Sequence, residues 1–402
     1  MLLLMDRTFG PFALGKIVAT SGTWMQSVTS AVVMFELTQS AFMVGLVSAI
    51  MFGGPLVLAL WAGALSDRHD RRKLVLIGRI LSGTSVTALS LLISIREIDA
   101  FGGPTVLILM VGVVGAGMGL SNPAMQAMVP GLVADENLEG ALALSSVAPS
   151  IARTLGPVAG AATLAVGGPA LAYGIAAIAD WSFVLILMFF VKPRQELGQK
   201  RDGDILRGIR HVLVDRKLGI LVLAVAAIGH GADPVLTLTP AIAVQFDGNR
   251  STVGMMIGAF GGGSILLVFC LRWLRSYMSL RLTGMIGFWV LAVGLMGAAF
   301  ASNLTSAMVA FFVAGFGFMM ASVTINTRIQ RRVPEQLRGR VMALWTAAFL
   351  GWRPFAALVD GAIADRYSPQ AALALSAVVV GAASAMARVR FAPQVEAGTD
   401  VG

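Results

Sequence analysis

About twelve stretches of roughly 20 apolar residues follow one another along this chain, each long enough to cross the hydrocarbon core of a bilayer as a helix. No other feature constrains the fold as much. In hydrocarbon every backbone N–H and C=O must find a partner inside the chain, so such stretches become helices. A chain of 402 residues then has only short loops to spare between them. With 57% hydrophobic and 13% charged residues and a mean hydropathy of +0.81, it is too apolar for a water-soluble surface. The expected class is an all-α membrane protein. No length remains for a soluble catalytic domain, and one cysteine with three histidines argues against a disulfide framework or a metal cluster. An enzyme is not expected, and neither is a cofactor.

The spans are read at about 11–35, 43–65, 74–95, 105–128, 140–166 and 170–191, then at 218–244, 253–271, 282–300, 304–325, 341–363 and 371–387. The opening MLLLMDR puts its charges after a very short apolar stub and is not read as a cleavable signal. Lysine and arginine set the orientation. Of 30 in the chain, the segments assigned to one side hold most, including Arg68, Arg71, Arg72, Lys73 and Arg79. The other side has only Arg96, Arg250 and Arg366. Both termini are therefore expected on the cytoplasmic side of a bacterial cytoplasmic (inner) membrane. The net charge of +9 follows from this asymmetry and from attraction to anionic membrane lipids, so nucleic acid is not an expected partner. Lys16 lies near the inner end of its span and is expected to snorkel to the surface.

The longest inner loop, 192–217, divides the chain into halves at 1–191 and 218–402. In it Ile205, Leu206, Ile209, Val212 and Leu213 recur at helical spacing, as in a helix lying on the membrane surface. A partner-binding helix has the same pattern. The halves echo each other. ALALSSVAPSIAR, ending at Arg153, aligns with VMALWTAAFLGWR, ending at Arg353, and each follows a Val-Pro pair. Two helix bundles rocking about a site at mid-membrane are the expected consequence.

The segment GALSDRHDRRKLVLIGR carries Gly63, Asp67, Arg68, Arg71 and Arg72. It matches the loop motif G-x-x-x-D-R-x-G-R-R of the major facilitator superfamily, with Asp70 in place of the second glycine. Gly156, Pro157 and Gly160 resemble the G-P-x-x-G element of exporters in that superfamily. GTWMQ, ELTQSAFMVGLV and VPEQLRGRVMALW resemble the branch that contains the enterobactin exporter and macrolide efflux proteins, also called transmembrane secretion effectors. The resemblance implies twelve transmembrane helices in two pseudo-symmetric six-helix bundles, working as a monomer, with Asp67 and its arginines as a conformational latch. Charged residues alone would read that loop as a topology signal. Gly156, Pro157 and Gly160 imply close helix packing and a kink. Two departures stand out: span four lacks the arginine of proton-coupled antiporters, and the motif has no copy between spans eight and nine. GAIADRY, 361–367, mimics it on the opposite side instead.

Ionisable groups inside a membrane need a partner, a wet cavity or a function. His230 and Asp233 share one helix face beside Gly229, Gly231 and Pro234, and are the leading candidates for proton coupling, with Asp180 behind them. Asp180 fits a structural ion pair at least as well. Arg153, Arg353, Glu36, Asp360, Trp24 and Gln26 are the candidate substrate contacts, and several methionines are further candidates for an adaptable lining. The expected function is secondary active export of a hydrophobic or amphipathic small molecule, drug-like or siderophore-like, exchanged for protons. A lysophospholipid or nutrient transporter with another coupling mode, and a membrane sensor without transport, remain alternatives.

Overall fold

The computed structural model describes residues 2–191, 212, 214–246, 248–333 and 335–388, with the side chains of residues 2, 59–68, 135, 143, 146–148, 150, 335–340 and 343 excepted. The surface helix expected at 205–213 lies outside the described residues, apart from Val212. Among the described residues thirteen α-helices follow in order. They are α1 (Phe9–Thr38), α2 (Ala41–Arg68), α3 (Arg71–Ser94), α4 (Pro104–Met128) and α5 (Leu138–Phe189). After the linker come α6 (Arg216–Thr237), α7 (Thr239–Val244), α8 (Arg250–Tyr277), α9 (Leu280–Ala299) and α10 (Leu304–Arg332). The chain closes with α11 (Glu335–Gly351), α12 (Arg353–Arg366) and α13 (Pro369–Ala383). Every expected span lies on helix, and the described residues form no strand.

Among the described residues nine helices are long and apolar enough to cross a membrane. The difference from the sequence reading has local causes. Spans five and six form one helical run, α5, broken where Gly168 takes φ 70° ahead of Pro169, a backbone angle that a side chain would strain. Pro157, where the sequence suggested a kink, lies within the first arm of this run. Span eleven is divided at Trp352, just before Arg353 and Pro354, into two helices of 17 and 14 residues. The remaining one, α1, has the length but carries Lys16, Gln26 and a run of serines and threonines.

Helices α1 to α5 pack on one another, as do α6 to α13. Close approach replaces bulk at the contacts, as expected where lipid offers no hydrophobic driving force. A Cβ on Gly315 of α10 would fall 1.8 Å from the Phe260 carbonyl oxygen of α8, and one on Gly263 would fall 1.9 Å from that of Phe312. Gly315→Ala must push two backbones apart, and is expected to cost at least the ~1–3 kcal/mol of ordinary overpacking. Thermal unfolding of the purified variant in detergent checks this.

The basic start of α3 meets the C-terminal ends of α4 and α5 at one face of the molecule. Asp70, where the motif has glycine, caps α3 by accepting from the Arg72 and Lys73 amides at 2.8 and 3.3 Å. Arg71 donates to the Ala127 carbonyl at the end of α4, and Arg72 donates to those of Leu187 and Met188 at the end of α5. Both cations thus stabilise helix C-termini within their own half. Two corrections concern this side. Arg79, counted with the inner loops, is buried inside the helix layer. Lys16 does not snorkel: it is buried and donates to Ser145 Oγ at 2.7 Å.

The halves meet chiefly along α2 with α12 and along α5 with α8. Both seams run through the part of the molecule remote from the basic face. Gly45 and Gly361 put α2 against α12, and Gly254 and Gly261 put α8 against Ala161 and Val158 of α5.

Candidate functional site

A central cavity with an empty volume of about 510 Å³ lies between the halves, lined from α1, α5, α6, α8, α10, α11 and α12. Its charged lining residues are Arg153 and Arg353; the rest is mostly apolar and aromatic, with Trp24, Phe260, Phe318 and Phe349. The repeated arginines cross over. Arg153, in the first half, lies 4.5 Å above the Phe349 ring and 5.2 Å from Trp345, both in the second half. Arg353, in the second half, lies 4.4 Å above Phe52 and 5.0 Å from Trp24, both in the first. Each guanidinium therefore bridges the halves through ring faces, a contact that gains strength where water is excluded.

Arg353 has an anion as well. Its Nε and Nη2 both stand 3.1 Å from Asp233 Oδ1, with Nε donating the hydrogen bond, and neither residue is more than 1% exposed. Thr237 Oγ1 donates to the other oxygen of Asp233 at 3.2 Å. A buried pair of this kind is held by mutual attraction and by hydrogen bonds on the remaining lone pairs. His230 does not touch Asp233 directly. Its Nε2 meets Ser376 Oγ at 3.2 Å, and Ser376 Oγ donates to Asp360 Oδ1 at 3.1 Å. Asp360 is fully buried and within electrostatic reach of Asp233. Among the described residues His230 Nδ1 and Asp360 Oδ2 have no hydrogen-bond partner. Behind Arg353 at the cavity wall, the side chains of Asp233, Thr237, His230, Asp360 and Ser376 on α6, α12 and α13 thus form one buried array.

Other candidates fall elsewhere. Asp180 pairs with Arg79 at 2.9 Å and accepts from Ser82 at 2.6 Å, inside the first half and away from the cavity. Glu36 is on the surface, bound to Arg250. Gln26 is buried, with neither amide atom paired among the described residues, on the α1 stripe with Gly22 and Ser30 that faces the second arm of α5. Asp360 is in the array rather than the lining. Gly156 and Gly160 seat α5 on α1: a Cβ on Gly156 would fall 2.5 Å from that of Trp24, and one on Gly160 2.9 Å from the Met25 Cα. Pro157 reaches the cavity itself. Among the described residues, Met25, Met34, Met255, Met256, Met319 and Met320, the methionines expected as an adaptable lining, are not part of it. The side chains of Asp67 and Arg68, and the surroundings of Gly63, lie outside the described residues.

The sequence reading passed over Arg79, Ser376 and the phenylalanines of the lining. For Arg79 a signal existed, since it stands more than two turns inside α3, deeper than a loop charge. Ser376 had none.

A family model described as transmembrane secretion effector matches residues 4–400. The enterobactin exporter EntS of Shigella boydii is 26% identical over 397 residues, covering 93% of this chain and 89% of that one. Among solved structures, a bacterial homologue of the human lysosomal transporter Spinster, inward-facing and unoccupied, superposes with a TM-score of 0.74 at 12% identity, covering 94% of this chain and 96% of that one. The nucleoside transporter NupG gives 0.70 at 12% identity, covering 97% and 100%.

Proposed function

Because the chain belongs to the transmembrane secretion effector family of the major facilitator superfamily, we propose that it exports an amphipathic, aromatic small molecule by alternating access, in exchange for protons. The protein is a multi-pass membrane transporter, not an enzyme. In this reading the basic face is cytoplasmic, both termini lie there in a bacterial inner membrane, and the described state faces inward. Residues 1–191 and 218–402 are the two rocking bodies of a monomer.

The observation that carries the reading is the Arg353 contact set: one guanidinium joins the buried Asp233 carboxyl to ring faces of the opposite half at the cavity wall. With Asp233 ionised, the carboxylate retains the guanidinium when a substrate ring takes its place on Trp24 and Phe52. With Asp233 protonated, the ring faces are what still holds Arg353, and a substrate ring that displaces it leaves a buried cation without an anion. Proton and substrate then exclude each other, as exchange requires. The array of His230, Ser376 and Asp360 supplies a hydrogen-bonded neighbourhood for the proton. A lining whose charges are guanidinium groups favours aromatic, neutral or acidic cargo over lipophilic cations. One proton crossing 100 mV supplies about 2.3 kcal/mol, a concentration ratio of about fifty.

The test is proton release from inverted vesicles, followed with a pH-sensitive dye while lipophilic antibiotics, siderophores and lysolipids are added. Release is expected with aromatic, neutral or acidic compounds. Silence across the panel from folded protein overturns proton exchange, and a response restricted to lipophilic cations overturns the substrate class.

A further inference from the structure

At the face remote from the basic side, α2 begins without a cap from its own half that could serve its first two amides. The amides of its first turn need acceptors, since no preceding turn supplies them. They find them across the interface. Asp365, at the end of α12, accepts from the Ala41 amide at 2.7 Å, the Phe42 amide at 3.1 Å and Ser40 Oγ at 2.5 Å. Ser40 Oγ in turn accepts from the Met43 amide at 3.1 Å. A carboxylate here also faces the positive end of the α2 dipole. The backbones around it are in close contact, for a Cβ on Gly45 would fall 2.2 Å from the Ala357 oxygen and one on Gly361 2.6 Å from the Ala41 oxygen. Beside this contact Arg250 donates to both carboxylate oxygens of Glu36 at 2.6 and 2.8 Å, again from one half to the other.

The residues around Asp365 are a second copy of the loop motif. Gly63, Ala64, Asp67 and Arg68 at the end of α2 correspond to Gly361, Ala362, Asp365 and Arg366 at the end of α12. The two helices pack against each other and run in opposite directions, so the copies stand at opposite faces of the membrane.

We propose that Asp365 is the latch of the state closed on this side, seated on the N-terminus of α2 and released each time the halves part there. The hydrogen bonds exist only while α2 and α12 are together at this end. They therefore stabilise one state of the cycle and not the other, which is the condition for a group to shift a conformational equilibrium. Glu36 and Arg250 add an exposed ion pair to the same state, worth little alone and weakened by salt. The proposal rests on the alternating-access reading but not on the cargo or on proton coupling.

The test uses full-length protein in lipid nanodiscs without substrate, with Cys270→Ser removing the native thiol. Spin labels go on Glu97→Cys and Ser302→Cys, exposed positions in loops of the two halves on this face. The parent is expected to show mainly the short inter-label distance. Asp365→Asn removes the charge and leaves one good acceptor for three donors, and is expected to move the closed-to-open ratio about tenfold toward the long distance. Ser40→Ala, which removes one donor and leaves the carboxylate, is expected to move it less and in the same direction. If both variants fold, as far-ultraviolet circular dichroism reports, and neither changes the distance distribution, the proposal is overturned. A distribution with a single distance in the parent and every variant, in the presence and absence of cargo, would overturn alternating access as well and so separates the two failures.

Discussion

Asp233→Asn is expected to abolish uphill transport while exchange of substrate down its gradient survives. The substitution keeps the shape and one acceptor but removes the charge that holds Arg353, and it removes the only group on this helix face that both titrates and touches the cavity arginine. Arg353 is left buried without its anion, a situation that costs about 3–5 kcal/mol when a buried pair is broken outright and less when the acceptor is kept. The guanidinium is then expected to rest permanently on Trp24 and Phe52, as in the protonated state. The check is paired: accumulation against a gradient in energised vesicles, and counterflow in vesicles without one. Normal accumulation by a folded Asp233→Asn protein removes this residue from coupling.

The largest effect on stability is expected at Asp180. Asp180→Leu leaves Arg79 buried with no carboxylate and removes the acceptor of the Ser82 hydroxyl, and breaking such a pair costs about 3–5 kcal/mol. Restoring an apolar match with Arg79→Met in the same protein is expected to recover most of that loss, because desolvating two charges offsets much of what their attraction gains. Unfolding midpoints of the single and double variants in one detergent measure both. The number of protons moved per substrate should be unchanged in whatever fraction of the variant folds. A changed stoichiometry would return Asp180 to the coupling machinery.

The fold was largely legible because the signals are local. A span declares itself within about 20 residues, and the positive-charge asymmetry needs only the loops next to it. The breaks were legible in part. Gly168-Pro169, the corner inside one helical run, falls in the gap between the spans read at 140–166 and 170–191, whereas Trp352 divided span eleven just ahead of Arg353. The second break does not interrupt hydropathy, which is what the reading followed. The site was legible in part. His230, Asp233, Arg153 and Arg353 were found because charge in an apolar run stands out. Glu36, for the same reason, and the neutral Gln26 were placed in the cavity too, yet one faces Arg250 at the surface and the other faces a neighbouring helix, since depth along a span does not reveal direction around it.

What the sequence determined by itself is the set of helices, the difference between the two faces and the family, each written in residues close together in the chain. The tertiary structure alone decided the partners. Arg79 meets Asp180 across 101 residues, Arg353 meets Asp233 across 120, and Ser40 meets Asp365 across 325. Composition limits how many buried charges a membrane protein carries. Which charge answers which is settled only when the helices pack, because an ion pair depends on distances of a few ångströms that no spacing along the chain encodes.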